Sequence, residues 1–178
     1  GAPIAIWRMG CGDLEGIARE GLESVLERGF VAHMEDLLQS GRAASQRQKR
    51  VVRCRLIVDG HGISVGLAVK RLALVKRLAS LGKAYFPEVN ASVTVVNMPK
   101  AVAQIWMMAE QFLTPVMRAK VCMLGAEFDA GLQAHAGIDR SALPAFMGGQ
   151  TSDDEVCAAL PVPKGAGVAL RSALEARG

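Results

Sequence analysis

No stretch of this sequence is long and uncharged enough to cross a bilayer, although the mean hydropathy, +0.23, is high for a water-exposed chain. The best candidate, residues 91–121, is broken by Asn97, Pro99, Lys100, Glu110 and Pro115, against the roughly 20 apolar residues a span requires. The opening Gly1-Ala2-Pro3-Ile4 lacks the basic-then-apolar pattern of a secretory signal peptide. Cysteine is sparse: Cys11, Cys54, Cys122 and Cys157 lie far apart, with no Cys-x-x-Cys or Cys/His ligand spacing. That argues against a structural metal and for reduced thiols in a cytoplasmic protein. His33, His61 and His135 have no metal spacing either and read as surface or capping histidines. Aromatics make up only 4% of the chain, and none interrupts the basic stretch of residues 47–55, so base stacking, and with it nucleic acid, is not expected. Neither an internal repeat nor a Ser/Pro-rich linker is apparent.

What is present is apolar. The 178 residues suit one core. With 51% apolar residues, some must line a core, a partner surface or a cavity. The net charge of +4 is compatible with anionic surfaces without requiring one. The patterning predicts a strand over residues 3–8, then a helix capped by Asp13 with Leu14, Ile17, Val25 and Leu26 near one face. A second helix is expected from about Phe30, with Met34, Leu37 and Leu38 at helical spacing. A basic stretch (Arg42, Arg47, Lys49, Arg50, Arg53, Arg55) runs into an apolar strand ending at Asp59, and Gly60-His61-Gly62 makes a turn. A long helix over residues 64–84, a strand over 91–96, a helix over 100–113, a break at Thr114-Pro115, a strand over 118–124 and a short helix over 127–135 follow. Strands alternating with helices imply an α/β domain with a mainly parallel sheet floor covered by helices.

Several short motifs occur in a fixed order. Gly1-x-Pro3-Ile4 with Gly10 opens the series, and Asp59-Gly60-His61-Gly62-Ile63-Ser64 follows the second strand. Tyr85-Phe86-Pro87-Glu88, Val95-Val96-Asn97-Met98-Pro99 and Phe112-Leu113-Thr114-Pro115 come next. Lys120 opens the following strand, and Leu143-Pro144-x-x-x-Gly148-Gly149 closes the set. Together they resemble the CRAL-TRIO family, whose members carry phosphatidylinositol, phosphatidylcholine, tocopherol or retinaldehyde. The resemblance spans residues 1–150, leaving 151–178 as a peripheral tail. It implies a hydrophobic pocket between the sheet and the helices over 64–84 and 100–113. The bound lipid would be phosphatidylinositol or a neutral lipophile, with no other cofactor, and there would be no catalytic residue. The family's preceding helical domain is not in this sequence, so a longer chain with that domain ahead of this one is expected. So are a cytoplasmic location, peripheral membrane association and transient contact with a membrane surface.

By the same resemblance, the helix over 100–113 is a mobile gate over the pocket. Lys100, Gln104 and Gln111 form its polar stripe, and Ile105, Trp106, Met108, Ala109, Phe112 and Leu113 its broad apolar face. A well-buried core helix would show the same pattern. Met107 and Met108 suit adaptable ligand contacts, and Met117 stands where the family has a threonine. Glu88 and Lys120, 32 residues apart, match the pair that reads the inositol headgroup in phosphatidylinositol-binding members, through charge-assisted hydrogen bonds. A plain ion pair at the domain edge is the other reading. Two hydroxyl positions of the phosphatidylcholine-binding members are Cys54 and Leu56 here, so that route to headgroup recognition is missing.

The basic stretch could attract an anionic membrane at roughly 1 kcal/mol per side chain, although a solvated helix end explains it as simply. Two other classes stay open. A docking module regulated by lipid would use the same pocket without transporting anything. A nucleotide-binding enzyme would use Gly60-x-Gly62-x-x-x-Gly66 as a phosphate loop. Against it, Asp59 would stand beside the pyrophosphate and the next strand ends in Asn97 rather than an acid. Asp59 and His61 could form an acid/base pair, but no nucleophile accompanies them.

Overall fold

Four short apolar segments pair into one parallel sheet in the order β1-β2-β3-β4: β1 (Ile4–Arg8), β2 (Cys54–Asp59), β3 (Asn90–Val96) and β4 (Val121–Met123). The computed structural model describes residues 1–110 and 114–152, apart from the side chains of residues 105 and 107–109. Parallel neighbours cannot be joined by a tight turn, so helices make every crossover. α1 (Leu14–Arg19) and α2 (Glu23–Gln48) join β1 to β2, and α3 (Val65–Lys70) and α4 (Leu72–Tyr85) join β2 to β3. α5 (Lys100–Ala109) and α6 (Pro115–Lys120) lie between β3 and β4, and α7 (Asp129–Ala136) follows. The mainly parallel α/β reading is correct: every strand pair is parallel.

Side chains alternate across the sheet. One face carries Ala5, Cys54, Leu56, Val58 and Val95 against Met34 and Leu37 of α2, with Trp7 and Phe30 edge to face at 5.4 Å. Ile57, Thr94 and Val96 point the other way and are fully buried. The register Leu56–Val93, Ile57–Thr94, Val58–Val95 sets both faces, after an irregularity at Cys54/Arg55. α2, not the helix after β2, lies against this sheet face, and α4 packs on α2.

Three local readings need correction. The first helical region breaks at Gly21, whose φ of +66° ends α1, and α2 then runs unbroken for 26 residues through Phe30. The helix over 64–84 is two helices parted at Arg71, a break that no helix-breaking residue announces. Residues 118–120 are not strand. Thr114 accepts from the Met117 N–H and Pro115 takes the first helical position, so these residues start α6 rather than merely end α5. Lys120 therefore closes a helix instead of opening a strand, and β4 shrinks to three residues.

The chain divides into two compact units, Gly1–Ile138 and Asp139–Gly178. In the second, the Asp139 carboxylate accepts from the Ser141 N–H and Oγ, at 2.8 and 2.6 Å, which holds it below the usual carboxylate range. Pro144 bridges Thr151, and Arg140 Nε donates to the Gly148 carbonyl at 2.9 Å. Apart from residues 151 and 152, the tail lies outside the described residues, as does Cys157.

Candidate functional site

Sheet topology lines up three charged residues that the sequence scatters. Arg53, Glu88 and Lys120 immediately precede β2, β3 and β4, or stand two residues ahead, and those strands are parallel neighbours. Their side chains therefore meet at the amino ends of the strands. Glu88 Oε2 receives Arg53 Nη2 at 2.8 Å, and Glu88 Oε1 stands 3.6 Å from Lys120 Nζ. Lys120 Nζ also reaches the Pro87 carbonyl, at 3.5 Å. Both of its contacts are long, so the ammonium is held loosely although only 19% of its side chain is exposed. The Glu88 side chain is 60% exposed, and solvated pairs of this kind contribute no more than about 1 kcal/mol each. His135 Nε2 lies 3.1 Å from the Lys120 carbonyl oxygen and donates to it as the Nε2–H tautomer, tying the end of α6 to α7.

Arg53 is the residue that sequence reasoning missed. The signal lay in strand order: with β2 and β3 adjacent and parallel, the residues before each must be neighbours. A cleft of about 180 Å³ adjoins this row, lined by Leu37, Leu38, Val52 and Val89 with Arg42 and Arg53.

At the opposite, carboxyl ends of the strands sits a second polar group. Asp59 is 4% exposed, and its Oδ1 accepts from Asn97 Nδ2 at 2.9 Å and from the His61 N–H at 3.0 Å. Arg8 Nε lies 4.0 Å from Oδ2. Asn97 is left-handed, φ +53°, just before Pro99 starts α5. A Cβ on Gly10 would overlap the His61 carbonyl oxygen, so β1 and the turn after β2 close on each other only because Gly10 has none.

That turn does not form a phosphate cradle. The Gly60 N–H bonds the Val96 carbonyl, His61 N–H the Asp59 carboxylate and Ile63 N–H the Gly60 carbonyl. Asp59 meets the backbone of His61, which serves the turn rather than an acid/base pair.

The gate residues divide by what the structure describes. Trp106 on α5 and Met117 on α6 are half-buried. Phe112 and Leu113 lie outside the described residues, as do the side chains of Ile105 and Met108. Cys54 and Leu56, at the family's hydroxyl positions, are both buried beneath α2. The Cys54 thiol donates to the Leu37 carbonyl at 3.1 Å, and burial raises its pKa. Among the described residues no group of three His, Cys, Asp or Glu side chains could hold a metal ion, and no helix is long and apolar enough to cross a membrane.

A parallel sheet with helical crossovers, and a charged row across the amino ends of its strands, defines an α/β domain. Residues 1–149 match the family model described as the CRAL/TRIO domain, and the chain belongs to that family. It is 26% identical over 157 residues to the SEC14 cytosolic factor of Eremothecium gossypii, covering 87% of this chain and 50% of that protein. It is 30% identical over 95 residues to the phosphatidylinositol/phosphatidylcholine transfer protein SFH9 of Arabidopsis thaliana, covering 52% of this chain and 16% of that protein. Among solved structures, that of Sfh5 aligns with a TM-score of 0.44 and 18% identity, over 57% of this chain and 34% of that one. The chain thus spans about half the length, or less, of the curated relatives it matches.

Proposed function

We propose that this domain binds a single membrane lipid, phosphatidylinositol before a neutral lipophile, and passes it to or from a membrane surface. The observation that carries this reading is the row Arg53–Glu88–Lys120 in a CRAL/TRIO domain. A carboxylate between two cations offers acceptors to inositol hydroxyls and donors to a phosphate, and such charge-assisted contacts are the stronger kind. The loose hold on Lys120 leaves its ammonium free to turn toward an incoming anion.

In this reading the segment over residues 100–113 is the gate. Ile105, Trp106, Met108, Phe112, Leu113 and Met117 supply the apolar surface that closes on the acyl chains. The gate begins at Asn97 and Pro99, at the far end of the strands from the charged row. Six residues of β2 separate the two ends, which is roughly 20 Å at about 3.3 Å per residue. A lipid with its headgroup at one edge and its chains toward the other would use that length. The bound lipid is the only cofactor in this reading, no catalysis is involved, and the domain works in the cytoplasm and at membrane surfaces as part of a longer chain. Residues 1–150 form the lipid-binding domain and 151–178 a peripheral tail.

Mass spectrometry of the organic extract, after the purified protein has been offered a lipid mixture, tests the proposal. An enriched phosphatidylinositol supports it. A neutral lipid keeps the pocket and removes the headgroup role of Glu88 and Lys120. An extract with no lipid rejects the carrier reading.

A further inference from the structure

The basic stretch is not fully absorbed by the headgroup row. Between Asp36 and Asp59 the chain has six Lys or Arg and no Asp or Glu. α2 stops when Lys49 turns left-handed, φ 51°, and the next residues form a tight tip. Ser45 pins it: its Oγ donates to the Gly41 carbonyl at 2.7 Å, and the Val52 N–H donates to that Oγ at 2.8 Å. Val52 is thereby drawn into the core at 7% exposure, while Val51 projects with 75% exposed. Lys49 and Arg50 precede this valine and Arg53 follows it, all exposed. Among the described residues Arg42, Arg47 and Lys49 have no carboxylate within 4.0 Å. Arg53 holds Glu88, and Arg50 donates to the Gln48 amide oxygen at 2.9 Å.

A protruding apolar side chain thus stands among cations of which, in the described residues, Arg53 alone meets a carboxylate, on a tip held in place by backbone and hydroxyl bonds. It is poorly suited to bare water and well suited to one surface. We infer that the tip formed by residues 47–53 is a docking surface for an anionic bilayer. Val51 enters the headgroup layer, and Arg42, Arg47, Lys49 and Arg50 face the lipid phosphates. Charge complementarity selects the partner, and the valine selects a bilayer over a nucleic acid: no aromatic lies between Phe30 and Tyr85 to stack on bases. The tip adjoins the cleft that Arg42, Val51 and Arg53 line together with Glu88, at the amino ends of the strands. Docking there would present the headgroup row to the membrane, and in that sense the inference rests on the lipid-carrier reading above.

The test is co-sedimentation of the whole chain with vesicles of phosphatidylcholine alone and of phosphatidylcholine with phosphatidylserine, over a range of salt. Binding should require phosphatidylserine and weaken as salt rises. Lys49→Ala with Arg50→Ala should weaken it roughly 25-fold, at about fivefold per charge removed. Val51→Asp should abolish binding and Val51→Leu retain it, both with unchanged thermal unfolding. Lipid occupancy by mass spectrometry should be unaffected in these variants, which separates the two readings: vesicle binding by a lipid-free chain would uphold the docking surface while rejecting the carrier. Equal binding to both vesicle types, or full binding by the double variant, overturns the inference. Retention on single-stranded DNA without vesicle binding also overturns it, in favour of a nucleic-acid partner.

Discussion

Asn97 Nδ2 donates to Asp59 Oδ1 at 2.9 Å, joining the carboxyl ends of β2 and β3 at the point where the chain turns toward α5. The carboxylate is buried, so its donors determine whether it is tolerated. Asn97 suits the position twice over, because its short amide reaches the acid and asparagine accepts the left-handed backbone better than most residues.

Asn97→Ala is therefore expected to destabilise the domain by about 2.5–4 kcal/mol. Roughly 1.5–3 comes from a hydrogen bond to a charged group and about 1 from alanine's poorer tolerance of left-handed backbone, which asparagine's short polar side chain eases. Asn97→Gly should recover the backbone share alone. Urea unfolding of the three proteins checks this, and equal losses for alanine and glycine would remove the backbone contribution.

Lys120→Ala should lower binding of phosphatidylinositol more than that of a neutral lipid, by about tenfold for one lost charge-assisted contact of roughly 1.5 kcal/mol. Titration with each lipid decides it. An equal loss for both would make the Glu88–Lys120 contact a structural pair.

Trp106→Asp should reduce the lipid recovered from the purified protein, since it sets a charge on the apolar face of α5. Trp106 is half-buried, so the variant should still fold. Lipid content equal to the parent's would remove α5 from the proposed gate.

Thr94 is fully buried at the centre of the sheet, and among the described residues its Oγ1 has no hydrogen-bond partner. A buried hydroxyl left unpaired costs about 1–3 kcal/mol. Thr94→Val should accordingly be neutral or raise stability by about 1 kcal/mol in thermal unfolding. A loss of more than that would mean the hydroxyl has a partner, such as a buried water or ligand.

His33 packs its ring 5.4 Å from that of Trp7, and its buried Nε2 has no hydrogen-bond partner among the described residues. Burial lowers its pKa from the ordinary 6.5, and the nearby Asp36 only partly opposes the shift. Below pH 6.5 the unfolded chain thus takes up a proton that the folded chain resists. Stability should fall as pH drops through that region and level off once the folded histidine also titrates. His33→Leu should flatten this dependence, and an unchanged slope would assign it to other groups.

Much of the architecture was legible in the sequence because it follows from local patterns. Short apolar runs marked β1, β2 and β3, Asp13 marked a helix start through its side-chain cap, and Asn97-Met98-Pro99 marked the end of β3. The α6 helix has a local signal too, in the capping Thr114 and the Pro115 after it, but a proline ends helices as readily as it starts them. The Gly21 turn was equally local, although φ is not written in a side-chain pattern.

What only the tertiary structure decided is adjacency. Nothing near Arg53 in the chain says that it meets Glu88, or that Asp59 will receive Asn97. Those pairings depend on β2, β3 and β4 lying side by side in parallel, which brings residues about 30 to 40 apart in sequence within a hydrogen bond's reach. The packing of α2 over Cys54 and Leu56 was equally hidden, because a half-apolar helix fits many surfaces. Local propensity fixes which segments become strands and helices. The order of strands in the sheet determines which charges face one another, and through them where a ligand could be held.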